Sequence, residues 1–312
     1  MTNQPFLQEV ENDSGLNNLK STQDWLKENK IFIELKLEEH GAIIFKDLPV
    51  KTAEDFDQFV STFNYETFTY EESLSNAVRI NKTDKVFTAN EAPREVEIFL
   101  HHEMAQTPTY PKNIFFFCKS ASETGGETPL CRSDQLYEAL LKADKALVES
   151  FEKFGVIYNS IMSSGDELIS GQGRSWQKTL GVSSKNDAEA KLSKLGYSWN
   201  WIEDDNLSVT TKTLQATKEL GNGQKSFFNQ VIAASLGWKK NSENQIAPVR
   251  FGNGEEIKES YIELISDLAQ SLTLLRSWQD HDILLIDNYR VMHGRKPFAG
   301  NKNREVLVSL TN

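Results

Sequence analysis

Two cysteines in 312 residues, Cys118 and Cys131, exclude a disulfide scaffold and suit a reducing compartment. Cys118 ends the apolar run Ile114-Phe115-Phe116-Phe117-Cys118 and reads as a small buried hydrophobe. A basic excess is missing too: 34 Lys and Arg stand against 45 Asp and Glu, a formal charge of -11. Nucleic acid and anionic membrane surfaces both ask for a basic face, so neither is an expected partner. No apolar run approaches the roughly 20 residues that span a bilayer. Residues 1–15 show neither the basic nor the apolar segment of a signal peptide, so a cytoplasmic location is expected. Repeats and low-complexity tracts are also absent.

What is present is enough apolar material, 38% of residues, for one sizeable core. The reading is a single domain over 1–312, mainly β with flanking helices, with about 135–250 inserted between core strands as helices and loops. Ser21 with Asp24 suggests a capped helix carrying Trp25, Leu26, Ile31 and Leu35 and stopping at Gly41. Thr52 with Asp55 suggests a second helix, with Phe56, Phe59, Val60 and Phe63 on its core face. Helix periodicity returns over 133–154, about 186–195 and 256–276. Strand texture marks 42–45, 114–118, 282–287 and 304–310. Strands with helices outside and a long excursion between them suggest a jelly roll.

The chemistry concentrates in Phe99-Leu100-His101-His102-Glu103-Met104-Ala105-Gln106. At a strand end, His101 and Glu103 fall on one face, because side chains alternate with period two. An imidazole and a carboxylate so placed are two ready metal ligands. A histidine from a distant strand would complete a 2-His-1-carboxylate facial triad with open positions for co-substrate and dioxygen. His293, after the apolar strand 282–287, is the candidate. His102 faces the other way, and His40 and His281 read as surface residues. Alone, a His-x-Glu is weak evidence, being far more often a surface or packed histidine than a metal ligand. Gly125-Gly126-Glu127-Thr128-Pro129 places a hydroxyl at a strand start, and Arg304 begins the last strand. A half-buried arginine needs an anionic partner, and a planar dicarboxylate co-substrate fits its fork; a local acid would serve as well.

These motifs, in this order, resemble the taurine-dioxygenase and clavaminate-synthase-like branch of the Fe(II)/2-oxoglutarate oxygenases, closest to the plant clavaminate-synthase-like proteins. The matching stretches are VFTANEAP (86–93), FLHHEMAQ (99–106), FFFC through GGETP (115–129), GRSW (173–176), FFN (227–229), RFGNGE (250–255) and DILLIDNYRVMHGRKPF (282–298). The resemblance implies His101, Glu103 and His293 as ligands of Fe(II), with Thr128 and Arg304 holding the distal carboxylate of 2-oxoglutarate. Dioxygen is the second co-substrate. Glu103 fills the position that related halogenases leave small, so halogenation is disfavoured. Val308 stands where taurine-type members carry a sulfonate-binding arginine, so a sulfonate is disfavoured too.

For the substrate, Asn90, Arg174, Trp176, Asn229 and the acidic stretch Glu203-Asp204-Asp205 are candidate pocket residues. The resemblance points to hydroxylation of a small amino-acid-like molecule such as arginine or homoarginine. A lysine-like compound, a natural-product intermediate, or desaturation are alternatives within the same chemistry. A zinc hydrolase or a non-catalytic jelly-roll binding protein are alternatives outside it.

Overall fold

Two β-sheets face each other. The computed structural model describes residues 6–13, 15–68, 74–75, 77–166, 173–221, 223–238 and 246–312. The larger sheet has the strand order Gln8–Val10, Ala42–Phe45, Ile283–Asp287, Asn113–Ser120, Glu305–Thr311, Phe87–Thr88. Its first pair is parallel and the others antiparallel. The smaller sheet runs Thr273–Arg276, Thr128–Arg132, Val291–Arg295, Ile98–His101, all antiparallel. This is the jelly roll expected from the strand texture.

The period-two alternation of strands decides what each sheet buries. From Asn113–Ser120, the side chains of Ile114, Phe116 and Cys118 point between the sheets. There they meet Leu284, Ile286, Val306 and Val308 of the same sheet and Leu130 and Val291 of the smaller one. Phe115 and Phe117 point the opposite way, with Ile43, Phe45 and Leu285, against the helices Leu19–His40 and Ala53–Ser61. Phe56 stacks on Phe117 at 5.3 Å and Phe59 meets Phe45 edge-on at 5.5 Å. Such pairs contribute about 0.5–1.5 kcal/mol each beyond their burial. The smaller sheet turns Cys131 and Met292 outward against Leu136, Leu140, Phe151 and Ile265 of its own helical layer.

Several local expectations change. The first helix starts from Asn18, not Ser21: the Asn18 side chain accepts from Ser21 N–H at 2.9 Å, and Ser21 is the third helical residue of that box. It stops at Gly41, whose φ of 80° is cheap only for glycine. Its buried stripe is Leu26, Ile33 and Leu37, while Ile31 and Leu35 are 74% and 60% exposed. A helix lying on a sheet buries one stripe, and these two project away from it. His40, expected at the surface, is buried at the helix end. The Thr52–Asp55 box is formed, and Phe56, Phe59, Val60 and Phe63 are buried. Residues 133–154 form two helices, broken at Asp144, whose carboxylate accepts from Leu147 N–H at 2.9 Å. The long helix expected over 256–276 ends at Ser271, because Thr273–Arg276 pairs with Thr128–Arg132.

The excursion contains the expected helix, Lys185–Leu195, and also a sheet of its own, in the order Val249–Phe251, Val156–Met162, Leu207–Thr210, Ser198–Trp201. That sheet contributes Asn159, Ser160 and Ile161 to the wall of the central cavity. Among the described residues no helix is long and apolar enough to cross a membrane.

Candidate active site

His101 and His293 are cross-strand partners. The antiparallel ladder of Ile98–His101 with Val291–Arg295 sets them directly opposite each other, their rings 4.4 Å apart. The strands approach closely because position 294 is glycine: a Cβ there would lie 2.4 Å from the Ile98 carbonyl oxygen. The strand ends at His101, so period-two alternation is not what brings Glu103 to the pair. A turn does, with Met104 at φ 59°. Glu103 Oε2 lies 3.5 Å from His293 Nε2 and 3.9 Å from His101 Nε2. One ligand atom from each of the three residues lies within 4.8 Å of the others.

Hydrogen bonding fixes the chemistry of these atoms. His101 Nδ1 contacts the Phe99 carbonyl at 2.8 Å. A carbonyl only accepts, so Nδ1 carries the proton and Nε2 of the neutral ring presents its lone pair to the site. Burial, reinforced by repulsion from His293, pulls the His101 pKa down to about 4, so the ring stays unprotonated at neutral pH. Burial alone would push the Glu103 carboxyl up; Arg79, whose Nη2 lies 2.9 Å from Glu103 Oε1, and His293 outweigh it and hold it well below the usual carboxylate range. Two imidazoles and one carboxylate, already converged, fit a divalent metal ion such as iron.

The cavity at the triad has a volume of about 410 Å³ and also reaches Thr128 and Arg304. They arrive from different sheets: Thr128 begins a strand of the smaller sheet, and Arg304 immediately precedes Glu305–Thr311 of the larger. Arg304 Nη2 donates to the Gly126 carbonyl at 3.3 Å, while its buried Nε has no hydrogen-bond partner among the described residues. Burial lowers its pKa, and among the described residues no carboxylate pairs with it. Gly126 makes room for this guanidinium: at φ 73°, a Cβ would lie 2.9 Å from Arg304 Nε. Thr128 Oγ1 accepts from Trp278 Nε1 at 2.9 Å, which leaves the hydroxyl hydrogen free to be donated into the cavity. A buried cation lacking an anion, beside an oriented hydroxyl, fits one carboxylate of 2-oxoglutarate.

Of the four substrate candidates, the structure brings only Asn90 to the cavity. Its Oδ1 accepts from Ala92 N–H at 2.9 Å. Arg174 does not line the cavity; it donates to the carbonyls of Lys178 and of the lining residue Ser75. Trp176 packs edge-on against Trp201 in a separate cluster with Leu180 and Leu192. Asn229 is buried behind the triad, its amide spent on Ala216 and Val231. Residues 203–205 are exposed, and Asp205 pairs with Lys185. Of the other histidines, His102 is fully buried with Nδ1 against the Asn288 carbonyl, and His281 is half-buried.

Three neighbours of the site carried no sequence signal strong enough to single them out. Arg79 lies in a polar, unpatterned stretch. Trp278 follows a strand without periodicity of its own. Asn288 sits in the turn Asp287-Asn288-Tyr289-Arg290, and asparagine in a turn has many ordinary explanations.

Comparison with known proteins agrees with this geometry. The model of the family described as "Taurine catabolism dioxygenase TauD, TfdA family" matches residues 7–310. A clavaminate synthase-like protein of Arabidopsis thaliana is 32% identical over 286 residues, 91% of this chain and 86% of that protein. The dapdiamide synthesis protein DdaC of Enterobacter agglomerans is 28% identical over 289 residues, 88% of this chain and 83% of its own length. The crystal structure of AAD-2 in complex with Mn(II) and N-oxalylglycine superposes with a TM-score of 0.52 at 14% identity, covering 98% of this chain and 94% of that one. The chain belongs to the TauD/TfdA family, and is an enzyme of the iron- and 2-oxoglutarate-dependent oxygenase class.

Proposed function

We propose that the enzyme hydroxylates a free, small amino-acid-like molecule, with arginine and homoarginine as the first substrates to test. In this reading His101, Glu103 and His293 hold the iron, and Arg304 and Thr128 bind the distal carboxylate of 2-oxoglutarate. The observation that carries it is the opening of both groups onto one cavity of about 410 Å³, a volume suited to a small metabolite beside the co-substrate. When bound, the iron supplies the oxidising chemistry by consuming dioxygen and 2-oxoglutarate. The protein's part is to present three donors, seat the co-substrate, and place one substrate carbon near the metal, since a small misplacement costs heavily.

The cavity wall offers acceptors to a cationic group: Asn90, Gln106, Asn159, Ser160 and Glu97. Among the described residues the buried Oε1 atom of Gln106 has no partner, as a donor-rich substrate would require. Val308 is buried in the larger sheet, consistent with a substrate lacking a sulfonate. A second reading is favoured by the pairing of the wall's carboxylates. Glu97 is paired with Lys296 and Glu103 with Arg79, so the uncharged polar groups of the wall are amides and hydroxyls, set among apolar side chains. An amide-bearing natural-product intermediate fits that lining, and DdaC is named as a dapdiamide synthesis protein.

The test is succinate release from Fe(II)-loaded protein and 2-oxoglutarate, above the background without substrate, across a panel of amino acids and amides. Stimulation by arginine or homoarginine, with a product about 16 mass units heavier from the single added oxygen atom, is the expected result. Stimulation by a neutral amide and not by arginine, homoarginine or lysine would replace the first reading with the second.

A further inference from the structure

Arg79 is a buried cation beside a buried carboxylate, the side chains being 7% and 5% exposed. Such a pair is a poor way to gain stability, since desolvating two charges consumes most of their attraction. A pair kept in that position calls for another explanation. The carboxylate concerned belongs to the triad, and its two oxygens have different neighbours. Oε1 accepts from Arg79 Nη2 at 2.9 Å, while Oε2 faces His293 Nε2 at 3.5 Å and His101 Nε2 at 3.9 Å. The guanidinium is itself held, with its central carbon 5.4 Å from the centre of the Phe87 ring. The Glu103 backbone is fixed independently by Asn288, so rotation of the carboxylate head is the freedom left to control.

We propose that Arg79 is a positioning residue that occupies Glu103 Oε1 so that the triad offers a metal one carboxylate oxygen and not two; this rests on the triad as the metal site. The consequence is a count of open positions. Two imidazoles and one oxygen leave three positions on a six-coordinate ion, enough for a bidentate 2-oxo acid and dioxygen. A carboxylate bound through both oxygens leaves two. Without its partner, Oε1 is a buried, unsatisfied anionic atom whose nearest available cation is the metal, and it turns toward it.

The experiment uses Mn(II) as the probe and reads water-proton relaxation per bound ion, which scales with the number of exchangeable waters. Wild type is expected to hold three such waters. In Arg79→Met, relaxivity is expected to fall by about a third, the loss of one open position in three, with 2-oxoglutarate binding weakened in parallel. Arg79→Lys, which keeps a charged donor, is expected to move back toward wild type. Thermal melts establish that each variant is folded, and the wild-type count needs no variant. Two waters in the wild type would overturn the proposal. So would unchanged relaxivity in a folded Arg79→Met with only the substrate KM altered, because Arg79 would then be contacting substrate. A lysine variant indistinguishable from methionine, or a folded Arg79→Met that binds no Mn(II), would overturn it as well. Wild-type protein that binds no Mn(II), or whose Mn(II) survives His293→Ala, would refute the triad itself, an outcome distinguishable from all of these.

Discussion

The side-chain amide of Asn288 holds the backbone of Glu103 from both sides. Its Oδ1 accepts from Glu103 N–H at 2.8 Å, and its Nδ2 donates to the Glu103 carbonyl at 3.1 Å and to the Pro111 carbonyl at 2.8 Å. One fully buried side chain from the turn after Ile283–Asp287 therefore fixes the turn that carries a triad carboxylate 185 positions earlier. Asn288→Ala leaves three buried backbone groups unpaired, at a cost on the order of 3 kcal/mol. The expected outcome is a Tm lowered by roughly 5–10 °C and a metal affinity weakened about 10- to 100-fold. Asn288→Asp should not rescue, because it sets an acceptor against two carbonyls. Calorimetry and Mn(II) titration decide the point; wild-type affinity in either variant would show that the clamp does not matter to the site.

The residues that name the chemistry were readable in the sequence because chemistry restricts residue type. In the roles proposed for them, His101, Glu103, His293, Thr128 and Arg304 each need a particular functional group, and each lies near a strand end whose apolar pattern is strong. The larger sheet was readable for the same reason, as Ile114–Cys118 and Ile283–Ile286 alternate cleanly between two buried faces. Asn288 and Arg79 were not, because their roles are set by partners 185 and 24 positions away. The sheet inside the excursion was equally hidden. Val156–Met162 and Leu207–Thr210 are strands whose pairing is long-range and unspecified by local pattern. Arg174, Trp176 and Asn229 illustrate the converse: polar and aromatic residues in such a stretch are as readily spent on local packing as on a ligand.

Trp278 sets the direction of the Thr128 hydroxyl. Its indole N–H can only donate, so Thr128 Oγ1 must accept from it, leaving the hydroxyl hydrogen for an anionic ligand. Trp278→Phe removes that constraint while keeping an aromatic ring. The loss of about 1 kcal/mol of orientation predicts a KM for 2-oxoglutarate raised roughly fivefold, with metal affinity unchanged. Thr128→Val should have an effect at least as large. Steady-state succinate formation at varied 2-oxoglutarate reads both, and an unaltered KM in Trp278→Phe would remove the indole from the site.

Both thiols are expected to be inert in the folded protein. Cys118 and Cys131 are fully buried, and that burial pushes each pKa up to about 12. The thiolate is the reactive form, so at pH 8 its fraction is on the order of 10⁻⁴. A disulfide reagent should label none of the native thiols over hours and both after unfolding in guanidinium. Rapid native labelling would mean that the interior between the sheets, or the outer face of the smaller one, opens readily.

In the proposed co-substrate cradle Arg304 lies directly against Gly126, and this contact makes a prediction about coupling. Arg304→Ala removes a charge-assisted bond worth on the order of 1.5–3 kcal/mol, so the 2-oxoglutarate requirement should rise roughly 10- to 150-fold. Metal binding should stay near wild type, because Arg304 makes no contact with His101, Glu103 or His293. Gly126→Ala places a methyl group 2.9 Å from Arg304 Nε and 2.6 Å from Ser122 Oγ, in a backbone conformation with φ at 73°. The guanidinium must then shift, and the KM for 2-oxoglutarate should rise for the same reason. If the glycine acts through the arginine, the two effects are not independent. Adding Gly126→Ala to Arg304→Ala should cost far less than the sum of the single losses in free energy. Full additivity in the double mutant would mean that Gly126 serves the fold of its turn and not the seat of the guanidinium.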